Sequence, residues 1–185
     1  MQHKCKVTVI DKKLYPDLQE RYLADPQSGV CPLYEVGQEF VFERYGGRDT
    51  FWTMGAGSQC SEAWDCISRY VYAALQGGSI MRGWTNDERM MIACCNDGTR
   101  PVIFKVERID YRVLHVEGLD VTGATEPERE AELAAALRAV EGVADVSFDR
   151  EGGWVEVVLE AGDVTDEALG AAVRACDGVC VIRAD

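Results

Sequence analysis

Val143-Ala-Asp-Val-Ser-Phe-Asp-Arg-Glu-Gly-Gly-Trp-Val-Glu-Val-Val-Leu159 decides the reading of the fold. Val143 to Phe148 has the apolar and polar mixture of a strand, and Trp154 to Leu159 repeats it. Glu151-Gly152-Gly153 between them has the residues a tight turn demands, so the stretch predicts a β-hairpin. A helix precedes it. Thr125-Glu-Pro-Glu128 forms a capping box, Leu133, Leu137 and Val140 give a stripe at helical spacing, and Gly142 stops the run. A strand, Arg112-Val-Leu-His-Val116, precedes that helix. After the hairpin, Asp163 or Thr165 caps a second helix that buries Leu169, Ala172, Val173 and Cys176. Val179 to Ile182 supplies a last strand. The order βαββαβ predicts a ferredoxin-like sandwich, with two helices on one face of a four-stranded antiparallel sheet.

The rest of the chain has a different composition. Of the 19 basic and 32 acidic residues among 185, residues 1–110 hold 13 and 15, a net charge of -2. Residues 111–185 hold 6 and 17, a net charge of -11. All five Met, three of four Trp and six of eight Cys fall in the first part. Such a shift marks a domain boundary near residue 110. Arg108-Ile-Asp-Tyr-Arg112 passes through it without a Pro, Gly or Ser linker, so the two domains, 1–110 and 111–185, are expected in tight succession. A pI near 4.6 argues against nucleic-acid binding, which requires an excess of Lys and Arg. No apolar run approaches the roughly 20 residues of a membrane span. Met1 to Asp11 lacks the apolar core of a signal peptide, so a cytoplasmic protein is expected, and disulfides are then disfavoured.

The C-terminal half resembles the heavy-metal-associated domain of copper chaperones and metal-pumping ATPases. Val116-Glu-Gly-Leu119, Val140-Glu-Gly-Val-Ala-Asp-Val146 and Val164-Thr-Asp-Glu-Ala-Leu169 carry the resemblance, over residues 112–183. That family holds metal with a Cys-x-x-Cys pair after the first strand. Val121 and Ala124 stand there in this chain, so the family's activity does not carry over. Cys176 and Cys180 lie at the same end of such a fold, where two alternatives stay open: a soft-metal or dithiol pair, or small apolar fillers.

In the N-terminal half, Cys5 to Ile10 reads as a strand, Lys13 to Asp25 as a helix ended by Pro26, and Val36 to Phe42 as a turn into a strand. Ser61 is read as the cap of a helix with Trp64, Ile67, Val71 and Leu75 on its apolar side and Gly77-Gly78 at its end. Met90 to Cys95 and Val102 to Ile109 read as strands around Asn96-Asp97-Gly98. This predicts a small α+β domain. Cys94-Cys-Asn-Asp-Gly-Thr-Arg-Pro-Val-Ile-Phe-Lys-Val-Glu-Arg108, with Cys60-Ser-Glu-Ala-Trp64, resembles an uncharacterised family of small prokaryotic proteins. The resemblance implies no activity. Ser79-Ile-Met-Arg-Gly-Trp84 departs from the Phe-Pro-Trp element usual there.

Cysteines lead the candidates by elimination. His3 is near a terminus and His115 is in a strand, so no nucleophile–His pair is evident. No Walker loop or Gly-x-Gly-x-x-Gly is present; Gly46-Gly47 and Gly55-x-Gly57 signal loops only. Cys31, Cys60, Cys94 and Cys95 are the thiols of interest. Cys60 precedes a helix N-terminus, where the dipole favours an anion. Adjacent residues in a strand face opposite ways, so only one of Cys94 and Cys95 is expected at any one site. Converging, such thiols would form a Zn or Fe–S site; the alternatives are a reactive thiol or buried structural cysteines. Cys66 reads as core. Arg100 either holds an anionic ligand or pairs with Asp97 or Glu107 to fix the turn. Trp52, Trp64, Trp84 and Met90-Met91 either line a ligand pocket or fill the core.

Three functions follow from these readings. One is a binding module for a ligand or a soft metal. The second is a thiol-dependent enzyme using Cys60 or Cys94, with Arg100 on an anionic substrate. The third is an accessory protein that binds a protein partner. A homodimer is compatible with each.

Overall fold

The computed structural model describes residues 1–44, 50–51, 59–116, 127–149, 154–160, 164–176 and 180–182, the last three by backbone only. Trp52, Gly46-Gly47, Gly55-x-Gly57, Val121, Ala124, Thr125, the turn at 151–153 and Asp163 lie outside them. The mixture of helices and antiparallel strands is α+β. The chain divides into two compact units, His3–Ile109 and Asp110–Asp185 with Met1–Gln2.

In the first unit, β1 (Gln2–Lys12) pairs antiparallel with β2 (Glu39–Phe42), setting Cys5 opposite Phe42 and Val7 opposite Phe40. β3 (Met90–Cys94) pairs antiparallel with β4 (Val102–Val116), which is also a neighbour of β1. Alternation sends Cys5, Val7, Val9, Val102, Phe104 and Val106 to one side, all fully buried. The helix α2 (Ser61–Leu75) lays Ala63, Ile67, Val71, Ala74 and Leu75 on that core. At roughly 25 cal/mol per Å² of apolar surface, each such aliphatic side chain contributes about 1.5–3 kcal/mol.

Three local expectations change here. The helix expected over Lys13 to Asp25 is α1 (Pro16–Tyr22). Lys13 N–H and Tyr15 N–H instead donate to Pro101 and Thr99 carbonyls at 2.9 Å each, so the chain before Pro16 extends the strand pairing. Pro16 then starts the helix, where its missing N–H costs nothing. The residue flanking α2 is Cys60 rather than Ser61, which is the first helical residue. The strands expected at Val102 to Ile109 and Arg112 to Val116 are one continuous strand, β4, because no breaker interrupts Arg108 to Arg112.

In the second unit, the hairpin is β5 (Val143–Asp149) and β6 (Trp154–Leu159), with Phe148 opposite Val155. β6 pairs with β4, and β7 (Cys180–Ile182) pairs with β4 at Leu114 to Val116. All these pairings are antiparallel, in the order β5-β6-β4-β7 expected of the βαββαβ sandwich. The helices α3 (Pro127–Arg138) and α4 (Asp166–Ala175) bury Leu133, Leu137, Leu169 and Val173 against Leu114, Val146, Val155 and Val157. Thr165 Oγ1 accepts from Ala168 N–H at 3.2 Å, the cap read from the sequence. Gly142, at φ +89°, follows α3 in the left-handed region that glycine adopts cheaply.

Candidate thiol site

The first unit brings thiols to the neighbourhood of Tyr34. This residue is 2% exposed, and its ring meets the edges of Phe40 and Phe104 at 6.0 and 5.4 Å. Its hydroxyl accepts the backbone N–H of Cys60 at 2.9 Å and donates to Gln59 Oε1 at 3.1 Å. Tyr34 thereby anchors the start of α2, where Cys60 has extended backbone and its side chain caps none of the free N–H groups. Burial pushes the Tyr34 phenol up; the nearby thiols of Cys60, Cys31 and Cys95 push it further, against the Cys60 N–H that favours its anion. Cys31, Cys60 and Cys95 are each half-buried and packed on the core to which Tyr34 belongs.

Each thiol has its own support. Cys31 sits in the loop after α1, tied down by Gln19. That side chain is 2% exposed, accepts from Gly29 N–H and donates to Gly29 carbonyl, both at 3.0 Å, and reaches Thr99 Oγ1 at 3.5 Å. Cys95 follows β3, whose end is pinned to α2: Asn96 N–H meets the Glu62 carbonyl at 3.4 Å and Asn96 Nδ2 meets Asp65 at 2.7 Å. Cys95 Sγ accepts from Val102 N–H at 3.3 Å.

The vicinal pair separates as strand geometry requires. Cys94 is exposed and Cys95 packs inward. The Cys94 thiol donates to the Cys95 carbonyl at 3.3 Å, and desolvation, with Cys95 beside it, raises its pKa. Cys66 is core, 5% exposed, with its thiol on the Ala63 carbonyl at 3.0 Å. Burial first, then Cys95 and Cys94, pushes it up to about 12. Cys5, fully buried, is pushed up by burial as well.

The cage of three or four donors expected for Zn or an Fe–S cluster is not assembled from Cys31, Cys60, Cys94 and Cys95. Among the described residues, no three His, Cys, Asp or Glu side chains are grouped to hold a metal ion. Cys94 is turned away by alternation. The two ligand-binding expectations for Trp64 and Arg100 meet structural roles. Trp64 stacks on Phe42 at 5.6 Å and tilts against Phe51 at 5.3 Å. Arg100 pairs with Asp97 through Nε at 3.0 Å and gives Nη1 to the Ser28 carbonyl at 3.3 Å, fixing the turn. Glu107 is not its partner; Lys105 pairs with Glu107 at 2.6 Å. Trp84 is 74% exposed on a turn.

Sequence reasoning missed Gln19 and Tyr34, which position the thiols. Tyr34 stands three residues after Cys31 in Cys31-Pro-Leu-Tyr34, a spacing without periodic signal. In the second unit, Cys176 is half-buried after α4, with its sulfur 4.0 Å from the Glu132 carbonyl; the Cys180 side chain lies outside the described residues.

No helix among the described residues is long and apolar enough to cross a membrane. No family model matches the chain, so the resemblance of residues 1–110 to a prokaryotic family gains no support there. No curated protein matches it. Among solved structures, the chain is similar to the crystal structure of a copper binding domain from HMA7, a P-type ATPase. Identity is 22%, coverage is 40% of this chain and 93% of that one, and the TM-score is 0.34, a likeness too loose to bring a ligand with it.

Proposed function

We propose that residues 1–110 form a binding domain for a soft ligand, with Cys31, Cys60 and Cys95 as its donors, and that residues 111–185 form a separate acidic ferredoxin-like domain available to a protein partner. The packing of these three thiols on one core, beside the buried Tyr34, supports the reading. Thiolates select soft ions, and Cu(I) needs fewer donors than the four usual for structural Zn. Arg100, the anion holder of the enzymatic reading, contacts Asp97 through Nε and Ser28 through Nη1.

Protection from alkylation tests the proposal. The reduced chain, loaded with one equivalent of Cu(I) under anaerobic conditions, is pulsed with N-ethylmaleimide. Cys31, Cys60 and Cys95 should become slow to react while Cys94 keeps its rate. Equal rates for all four with and without copper would remove the proposal.

A further inference from the structure

The strand β3 is paired on one side only, with β4. Cys95 N–H donates to the Val102 carbonyl at 3.0 Å, and Arg108 N–H donates to the Arg89 carbonyl at 2.8 Å. With Ala93 opposite Phe104 in the same register, the odd residues of β3 direct their backbone groups to β4 and the even ones point theirs outward. The outward groups are engaged at both ends. Met90 N–H donates to the Asp87 carbonyl at 3.2 Å, and the Met90 carbonyl accepts from Thr85 Oγ1 at 3.1 Å. Beyond the strand, Asn96 N–H reaches the Glu62 carbonyl at 3.4 Å. Between these ends, the Ile92 N–H and carbonyl and the Cys94 N–H have no hydrogen-bond partner among the described residues. Both side chains are exposed, that of Ile92 by 41%.

Open edges invite pairing with another chain, and charge, bulges or covering side chains normally protect them. The edges β2 and β5 have such protection. β2 carries the exposed Glu39, paired with Lys6 at 3.5 Å. β5 carries Asp145 and Asp149, has an irregular register between Val143 and Asp145, and gives its Val146 carbonyl to Arg138 Nη2 at 2.9 Å. β3, Met90-Met-Ile-Ala-Cys94, has no charged residue. At its Met90 end stands Trp84, 74% exposed and adjacent in sequence to the Thr85 that bonds Met90. Unpaired backbone, uncharged side chains and an exposed tryptophan are the makings of an interface. The strand also complements itself. An antiparallel pair about a twofold axis at Ile92 sets Ile92 against Ile92 and Met90 against Cys94, with no like charges opposed.

We infer that β3 is the dimer contact of this chain, joining two copies edge to edge into one continuous sheet. Each Ile92 N–H donates to the Ile92 carbonyl of the other copy. Each Cys94 N–H donates to the other copy's Met90 carbonyl, whose second lone pair is open. Trp84 of each copy then stands at the Cys94 end of the other's strand. A contact this short makes a weak, concentration-dependent dimer. It does not depend on whether the thiols hold a ligand.

Sedimentation of the full chain in a thiol-free phosphine reductant tests the inference, because disulfide-linked species are then absent. The average mass should rise with concentration from 20.5 kDa toward twice that value. Ile92→Lys opposes two cations on the axis and should weaken the dimer about tenfold or more, while Val41→Lys on the β2 edge leaves it unchanged. On the unaltered chain, exchange of the Ile92 amide should slow as concentration rises. A mass fixed at 20.5 kDa up to about 0.5 mM overturns the inference. A dimer undiminished by Ile92→Lys, equal weakening by Val41→Lys, or an Ile92 amide whose exchange ignores concentration overturns it too.

Discussion

Replacing Gln19 by alanine cuts the strap that holds the Cys31 loop. The side chain is 2% exposed and makes two bonds of 3.0 Å to the Gly29 backbone, one as donor and one as acceptor. A net 0.5–1.5 kcal/mol for each bond gives about 1–3 kcal/mol. The vacated volume adds on the order of 1 kcal/mol, while water reaching the half-buried Gly29 restores part of the loss. We expect a net loss of about 2–3 kcal/mol, read as the fall in urea midpoint at constant slope. If the first unit melts on its own, that corresponds to roughly 10 °C or more in Tm. Gln19→Leu separates the contributions, since it fills the volume without the hydrogen bonds, and it should recover less than half of the loss. Both variants should also alkylate Cys31 faster than the parent, because the loop is no longer tied. A loss under about 0.5 kcal/mol for the alanine variant, or full recovery by leucine, would refute the strap.

Other outcomes follow from the same geometry. At pH 7 the Cys66 thiol, at about 12 against an ordinary 9.0, carries about a thousandfold less thiolate than an ordinary cysteine, so native alkylation should leave Cys66 and the buried Cys5 unmodified until the chain is denatured. Gly77, at φ +73°, has the His3 imidazole where an alanine methyl would stand, so Gly77→Ala should cost about 1–2 kcal/mol for the backbone alone, measured by urea unfolding. Burial opposes the Asp97 anion, but donors from Thr99 and Arg100 outweigh it and hold its pKa below the usual 3.8. The sign follows: this stabilisation is complete above 3.8 and lost as pH falls through the lower folded value, and Asp97→Asn should flatten that part of the acid-unfolding curve.

Periodic signals made the second unit legible. Trp154 to Leu159 buries alternate residues, Thr165 caps α4 and Gly142 stops α3, each a local rule acting on local sequence. The opposite facing of Cys94 and Cys95 was legible for the same reason. The thiol site depends on contacts between distant residues. Gln19 reaches Thr99 across eighty positions, and Tyr34 meets Cys60 across twenty-six. No window of sequence shows such pairs, and a buried Gln looks like any polar residue on a short helix. The continuation of the strand pairing as far as Tyr15, which delays the start of α1, is likewise fixed by Thr99 rather than by α1's own residues. The role of Arg100 was read as two alternatives, and only its contacts with Asp97 and Ser28 separate them.

Competition for Cu(I) against a chromogenic chelator, on reduced protein without oxygen, addresses the central claim most directly. The account predicts that the parent chain and Cys94→Ser each withdraw one copper from the chelator, and that the triple variant Cys31→Ser, Cys60→Ser, Cys95→Ser withdraws none while remaining folded. Copper held undiminished by the triple variant, or left entirely with the chelator by the parent chain, would contradict it; in the first case, loss of copper from Cys176→Ser would move the site to the second unit.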